Sequence, residues 1–457
     1  MPSTVLVRFG ALLLVHSAVS AQEPTARLSP TEATVLRDKF TRYLRDDAAL
    51  LQVADMGGRE LERAELARLR SEEDFALEWQ RRQRKGNLLA SPADLRQIFR
   101  NCFPLRANSR PLGAWVGATV SFAGVDESHR YGVMLPKGCR EDTPSRAVLL
   151  IPGTTQPGGA AWTPIATHFD GTWGGSAALA DTVFHGVEVP GKWQLDVAPA
   201  PEVEGSEELD AARTRLLLGT FGETLNSCSI DRNRVFLDCG RGACAFGLRF
   251  ATQFPDRFAG VVLRAPVEAA HLRLGSLRHV AVLLLRTKDS AREVDALQAR
   301  LQAAAPGMVT SIEATDAYPH AAMAGVIGDW LARQQRDMVP MQVTIEPNTD
   351  ENNRAYWVDI EEAQALGAGP AERRPRIDVV ADRATNTVRV QSVGVERFAL
   401  QLNDHLLDLD RPFFVVVNGR EYQEKRTRSF QQLRDGLIGR SDWECLFPVA
   451  LSMSVPQ

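Results

Sequence analysis

Charge of one sign is the first thing this sequence lacks. Its 457 residues carry 53 Lys and Arg against 57 Asp and Glu, a formal net charge of -4. No basic excess is available to hold nucleic acid or an anionic membrane, so neither is an expected partner. Cysteine is scarce too: Cys102, Cys139, Cys228, Cys239, Cys244 and Cys445 include no CxxC pair and no flanking His cluster, which argues against a zinc site. Buried thiols, or one or two disulfides of open pairing, are the expectation for them. No run beyond the first twenty or so residues approaches the roughly 20 apolar residues that span a bilayer. There is no internal repeat, no low-complexity tract and no cofactor motif, so no cofactor and no membrane span are expected. A small-molecule or protein ligand remains.

The chain that is present, with 44% hydrophobic and 24% charged residues, has ordinary globular composition and is long enough for two or three domains. Residues 1–21 resemble a cleaved secretory signal: Arg8, the apolar run Phe9 to Val15, then Val19-Ser20-Ala21 with small residues before the cut. His16 and Ser17 interrupt that run, which is too short for an anchor. A secreted or periplasmic protein follows as the expectation, with disulfides permitted. Residues 22–105 are rich in Arg, Glu, Leu and Ala at helical spacing, with Leu61, Leu66 and Leu69 as examples, and Ser29-Pro30-Thr31-Glu32 offers a helix start.

From 106 to 337 the texture alternates. Strands are expected at Trp115 to Phe122, Arg130 to Leu135, Ala147 to Ile151, Val235 to Leu237, Gly260 to Leu263 and Val280 to Leu285. Helices are expected at Leu209 to Leu225, Ala243 to Gln253, Val294 to Ala305 and Ala321 to Gln335. Short continuous apolar strands alternating with helices imply a doubly wound, mostly parallel α/β sheet. From 338 to 457 strands dominate, Asn418-Gly419 is a hairpin signal, and a C-terminal β-sandwich is expected. Tyr356 and Trp357 there raise a polysaccharide surface, although alternation along a strand sends one of them inward.

The segment Asp231-Arg232-Asn233-Arg234-Val235 to Cys239-Gly240-Arg241-Gly242-Ala243, followed by Phe254-Pro255-Asp256-Arg257-Phe258, carries the chemistry. It resembles the nucleophile-elbow region of the α/β-hydrolase superfamily, in the secreted-esterase, polyhydroxybutyrate-depolymerase and prolyl-oligopeptidase-like lineage. The resemblance covers roughly residues 133 to 336. Counting forward from Arg234-Val235 and back from Pro255, both registers place the family's serine at Arg241. A guanidinium stays protonated and only donates, so it cannot attack a carbonyl. The resemblance implies Asp289, in Arg286-Thr287-Lys288-Asp289, as the relic acid and His320, in Tyr318-Pro319-His320, as the relic base. It also implies Gly242 and Thr154 as the former oxyanion-hole donors, with Pro152 standing where the family has His. Gly153, Gly158 and Gly159 fit turn chemistry equally well. Cys239 and Cys244 flank the turn without reaching its apex, and Ser227 and Ser229 lie at the wrong end of the strand.

Three functions follow. The leading one is an exported hydrolase-fold protein without serine-hydrolase activity, either binding a small anion at Arg241, Gly242 and Thr154 or acting as a scaffold. The second is a hydrolase of carboxylic esters or peptides with a non-standard nucleophile. The third is an envelope module that binds a protein or polysaccharide through its flanking regions.

Overall fold

The computed structural model describes residues 26–54, 57–103, 105–106, 108–121, 129–153, 164–188, 206–266, 272–349, 353–366 and 374–456. The expected signal segment, Thr154, Gly158 and Gly159 lie outside the described residues.

The N-terminal helices start where Ser29 marks them. In α1 (Pro30–Val53) the Ser29 hydroxyl accepts from the Glu32 N–H at 3.3 Å while the Glu32 carboxylate accepts from the Ser29 N–H at 3.0 Å. This reciprocal cap satisfies two otherwise orphaned donors. Alongside run α2 (Gly58–Gln83) and α3 (Pro92–Phe99), and Phe40, Phe75, Trp79 and Phe99 interleave between them. The buried stripe of α2 is Ser71, Phe75 and Trp79. Leu66 and Leu69, which share the helical spacing, are 48% and 54% exposed because they lie on the opposite face.

The middle of the chain builds β1 (Trp115–Val120), β2 (His129–Met134), β3 (Ser145–Ile151), α4 (Ile165–Trp173), β4 (Thr182–Val187), α5 (Ser206–Ser227), β5 (Ile230–Cys239), α6 (Cys244–Gln253), β6 (Gly260–Arg264), β7 (Ala281–Arg286), α7 (Ala291–Ala304), β8 (Val309–Glu313) and α8 (Ala324–Arg333). Among the described residues these strands form one eight-stranded sheet in the order β1-β2-β4-β3-β5-β6-β7-β8. Pairs from β4 through β8 are parallel, and β2 runs antiparallel to both its neighbours. Strands buried on both faces need apolar side chains at successive positions. β3, β5 and β6 supply them, and two cores result: Leu149, Leu237 and Val261 face one side, Val148, Phe236 and Val262 the other. The fold class is therefore the expected α/β-hydrolase type. Two strands, β4 and β8, and α4 add to what the sequence indicated.

The C-terminal part contains β9 (Gln342–Ile345), β10 (Arg354–Ala355), β11 (Val358–Ala363), β12 (Arg376–Asp382), β13 (Thr387–Val393), β14 (Val395–Leu402), β15 (Phe413–Val417), β16 (Arg420–Glu424), α9 (Phe430–Arg440) and β17 (Val449–Ser454). Sheets β10-β11-β14-β17 and β16-β15-β13-β12-β9 enclose a common core that includes Ile377, Val390, Val415, Phe398 and Leu400. This is the expected sandwich. Asn418 (φ 48°) and Gly419 (φ 87°) turn β15 into β16, the left-handed pair that a two-residue hairpin requires. Tyr356 and Trp357 are both buried, and the Trp357 indole donates to the Pro340 carbonyl at 2.7 Å. They present no surface to a sugar.

Helix α9 and the segment after it leave the sandwich and complete the N-terminal helical core: Leu433 and Leu437 of the helix, with Trp443 and Leu446 beyond it, pack with Phe40, Phe75, Trp79 and Phe99. Arg336 ties the unit built on the eight-stranded sheet to the same segment. Its guanidinium bonds Asn233, the Asp256 carbonyl and, at 2.7 Å, Asp442. No described helix is long and apolar enough to cross a membrane.

Candidate ligand site at the turn after β5

Alternation along β5 decides what arrives at the carboxyl end of the sheet. Val235, Leu237 and Cys239 point into one core, so Asp238 joins Phe236 on the other face. There the fully buried Asp238 carboxylate accepts from Arg264 Nε at 2.8 Å and a second Arg264 nitrogen at 2.9 Å, and from the Trp173 indole at 2.7 Å. The remaining Arg264 nitrogen donates to the Pro319 carbonyl at 3.0 Å and approaches that of His320 at 3.4 Å. A paired, fully hydrogen-bonded charge is the form in which burial is tolerated. The cluster therefore fastens the segment carrying His320 to the end of β5 and β6.

Gly240 follows Asp238 and Cys239, its N–H donating to the Ile151 carbonyl at 2.9 Å. A Cβ on Gly240 would lie 2.4 Å from Gly153 N, and one on Gly153 would lie 2.5 Å from the Gly240 carbonyl carbon. The two backbones touch, so neither position admits a side chain. Arg241 then opens a short 3₁₀ turn, Arg241–Ala243, before α6. A nucleophile elbow holds its residue in a strained turn, yet Arg241 is not among the described residues with positive φ. The turn keeps the strand-to-helix geometry without the strain.

Arg241 is half-buried, and its Nε is buried with no hydrogen-bond partner. The described residues offer it no ion pair. Asp289 sits on the exposed turn after β7, and among the described residues it forms no hydrogen bond or ion pair with His320 or Arg241; the carboxylate nearest His320 Nδ1 is that of Asp316. His320 is fully buried at φ 67°, and its Nδ1 lies 2.8 Å from the Asp316 carbonyl and 3.6 Å from the Asp316 carboxylate. A carbonyl only accepts, so Nδ1 carries the proton and Nε2 is left as a bare acceptor. That Nε2 has no partner either. Burial, seconded by the Arg264 charge, holds the His320 pKa below the ordinary histidine value, so the ring is neutral. The Tyr318 hydroxyl lies beside the Gly240–Arg241 peptide, where a Cβ on Gly240 would be 2.5 Å away, and forms no well-made hydrogen bond. Burial raises its pKa, so it stays protonated. The Tyr318 and His320 rings meet edge to face at 5.9 Å.

The structure thus places Arg241, Gly242 and His320 at the carboxyl end of the sheet and leaves Asp289 on its rim. Thr154 is outside the described residues. Sequence reasoning passed over Asp316, Tyr318, Asp238 and Arg264. A charge ending an apolar strand, as in Phe236-Leu237-Asp238 and Val262-Leu263-Arg264, was the available signal for the buried pair. All six cysteines are free thiols. Cys239 and Cys244 are buried, and burial pushes both thiols far above the range where a thiolate forms; Cys244 instead donates to the Gly240 carbonyl at 3.3 Å. Among the described residues no cluster of His, Cys, Asp or Glu could hold a metal.

No family model matches the chain, and no curated protein does. Among solved structures it is similar to a thermostable esterase at 14% identity, over 49% of this chain and 63% of that one, with a TM-score of 0.38. An S-formylglutathione hydrolase from Staphylococcus aureus gives 13% identity over 48% and 97%, with a TM-score of 0.35. Pyrococcus horikoshii acylaminoacyl peptidase gives 9% over 50% and 43%, with a TM-score of 0.36. Superpositions this loose carry no inference about activity, and the fold rests on the strand order described above.

Proposed function

We propose that this chain is an exported, noncatalytic α/β-hydrolase-fold protein that binds a small anion at the turn carrying Arg241. The observation that supports this most is the Arg241 guanidinium standing at the nucleophile position with a buried, unpartnered Nε. A guanidinium cannot attack, and a buried donor left unpaired is costly until a ligand takes it. A carboxylate or phosphate is the natural partner, and the N-terminus of the helix that follows favours negative charge there. Asp289, Gly242 and Thr154 belong to the same reading as the relic acid and the former oxyanion donors. The absence of strain at Arg241 and the protonated, buried thiols beside it disfavour the reading as an active hydrolase with another nucleophile.

Thermal unfolding in millimolar acetate or inorganic phosphate tests the proposal. At least one anion should raise the midpoint of the wild-type protein in proportion to the logarithm of its concentration, and Arg241→Ala should abolish the effect while retaining the fold. If neither anion stabilises the wild type, or Arg241→Ala responds equally, the site is not there.

A further inference from the structure

The amino end of β5, opposite the Arg241 turn, borders a cavity of about 380 Å³ where the three parts of the chain meet, a volume within the range of small-molecule sites. Its lining includes Arg96 and Arg100 of α3, Asp231 and Asn233 at the start of β5, Asp337 in the link to the sandwich, and Glu444 after α9. Arg336 also lines it, but its guanidinium is spent on Asn233, the Asp256 carbonyl and Asp442. The other walls are less fully committed. Asp231 and Asp337 each accept one backbone N–H, from Asn233 at 3.0 Å and from Val339 at 2.9 Å, and keep a second oxygen. Asn101, also in the lining, holds a buried side-chain oxygen with no hydrogen-bond partner. A polar cavity of this size is wet, at roughly 30 Å³ per water.

Charge decides what can replace that water. Three guanidiniums and three carboxylates line the cavity, and their signs are interleaved: Glu444, whose pKa is raised by burial and by Asp442, also feels Arg336, Arg96 and Asp231. An anion would meet carboxylates and a cation would meet guanidiniums, each with repulsion. A zwitterion finds no separate positive and negative ends to span. A hydroxyl both donates and accepts without charge, so it serves the carboxylate oxygens, the Asn101 oxygen and the Arg100 guanidinium alike, and it takes over the bonds of the water it displaces. Met338, Val339 and Leu446 add apolar surface for C–H groups. From this lining we infer that the junction binds a neutral, hydroxyl-rich molecule, a saccharide of one or two rings, between α3, the start of β5 and the segment after α9. The site is separate from the Arg241 turn and stands or falls without it.

Saturation-transfer NMR of the full-length protein tests it with glucose, galactose and mannose, each hexose beside its cationic 2-amino sugar and its anionic uronate. At least one hexose should receive transfer and bind roughly tenfold tighter than both of its charged analogues. Asp337→Ala and Glu444→Met each remove acceptors and should weaken that hexose about tenfold, the worth of a hydrogen bond to a charged group, while circular dichroism shows the fold kept. Asp337 is exposed, so its variant keeps the test valid if Glu444→Met, in a packed segment, unfolds. No transfer to any hexose overturns the inference. So does an amino sugar or uronate that binds tighter than its hexose, or a hexose affinity unchanged in Asp337→Ala.

Discussion

Replacing Arg264 by Met removes one member of a buried ion pair and leaves the other behind. Asp238 is fully buried and would keep only the Trp173 indole as a donor, while the Pro319 carbonyl would lose its donor and the His320 carbonyl would keep only the Met323 N–H. Breaking a buried pair from one side costs about 3–5 kcal/mol, most of it the uncompensated charge. For a unit of roughly 150–250 residues each kcal/mol moves the midpoint by about 2–4 °C, so Arg264→Met should melt some 6–20 °C early. Removing both charges together, as in Asp238→Leu with Arg264→Met, leaves no orphan and should cost far less than the sum of the single changes. Circular dichroism melts and urea titrations of the two singles and the double complete the cycle. A loss below about 1 kcal/mol for Arg264→Met, or simple additivity in the double variant, would refute the claim that this pair anchors the His320 segment.

Acid should weaken the protein through its buried histidines. Burial lowers His168 from 6.5 to about 4 and His185 from 6.5 to about 3. With the folded pKa below the unfolded one, their stabilisation is complete above about pH 6.5 and drains as the pH falls, by roughly 2 kcal/mol each at pH 5. Urea midpoints that stay flat between pH 7 and pH 5 would contradict this. Leu437, fully buried among the N-terminal helices, should cost about 2–4 kcal/mol as Leu437→Ala, and limited proteolysis should then cut within α1 or α2 before the sandwich. Cut sites unchanged from wild type would count against α9 as the keystone of that core. Exported protein should begin at Gln22, and an intact mass retaining residues 1–21 would rule out signal cleavage there.

Much of the fold was legible because periodicity reports burial. Unbroken apolar runs such as Ala147 to Ile151 and Gly260 to Leu263 can only be satisfied between two covered faces, and they emerged as β3 and β6. β4 was not seen because Thr182, His185 and Gly186 interrupt its run, yet it is buried throughout, with the His185 ring bonded by Thr220 and Thr224. Only tertiary partners make such a strand apolar in effect. α9 was missed for a related reason: Leu433 and Leu437 gain their meaning from residues nearly 400 positions earlier. At the site, the motif register located Arg241 and His320 but could not reveal which carboxylate faces His320 Nδ1. Asp316, four residues upstream in an irregular loop, occupies that place, and loop geometry has no period to read. The orphaned state of Arg241 Nε and His320 Nε2 is likewise a property of three-dimensional surroundings.

The central claim is that the turn after β5 binds and does not attack, and covalent labelling puts it to the most direct test. Full-length protein incubated with an excess of a fluorophosphonate probe should show no adduct by intact mass, since Arg241 offers no hydroxyl and the neighbouring thiols are buried and protonated. Arg241→Ser should stay weakly reactive at best, because its backbone lacks the strained elbow. An adduct on any serine of the wild-type protein, formed in the folded state and lost on prior denaturation, would contradict the account.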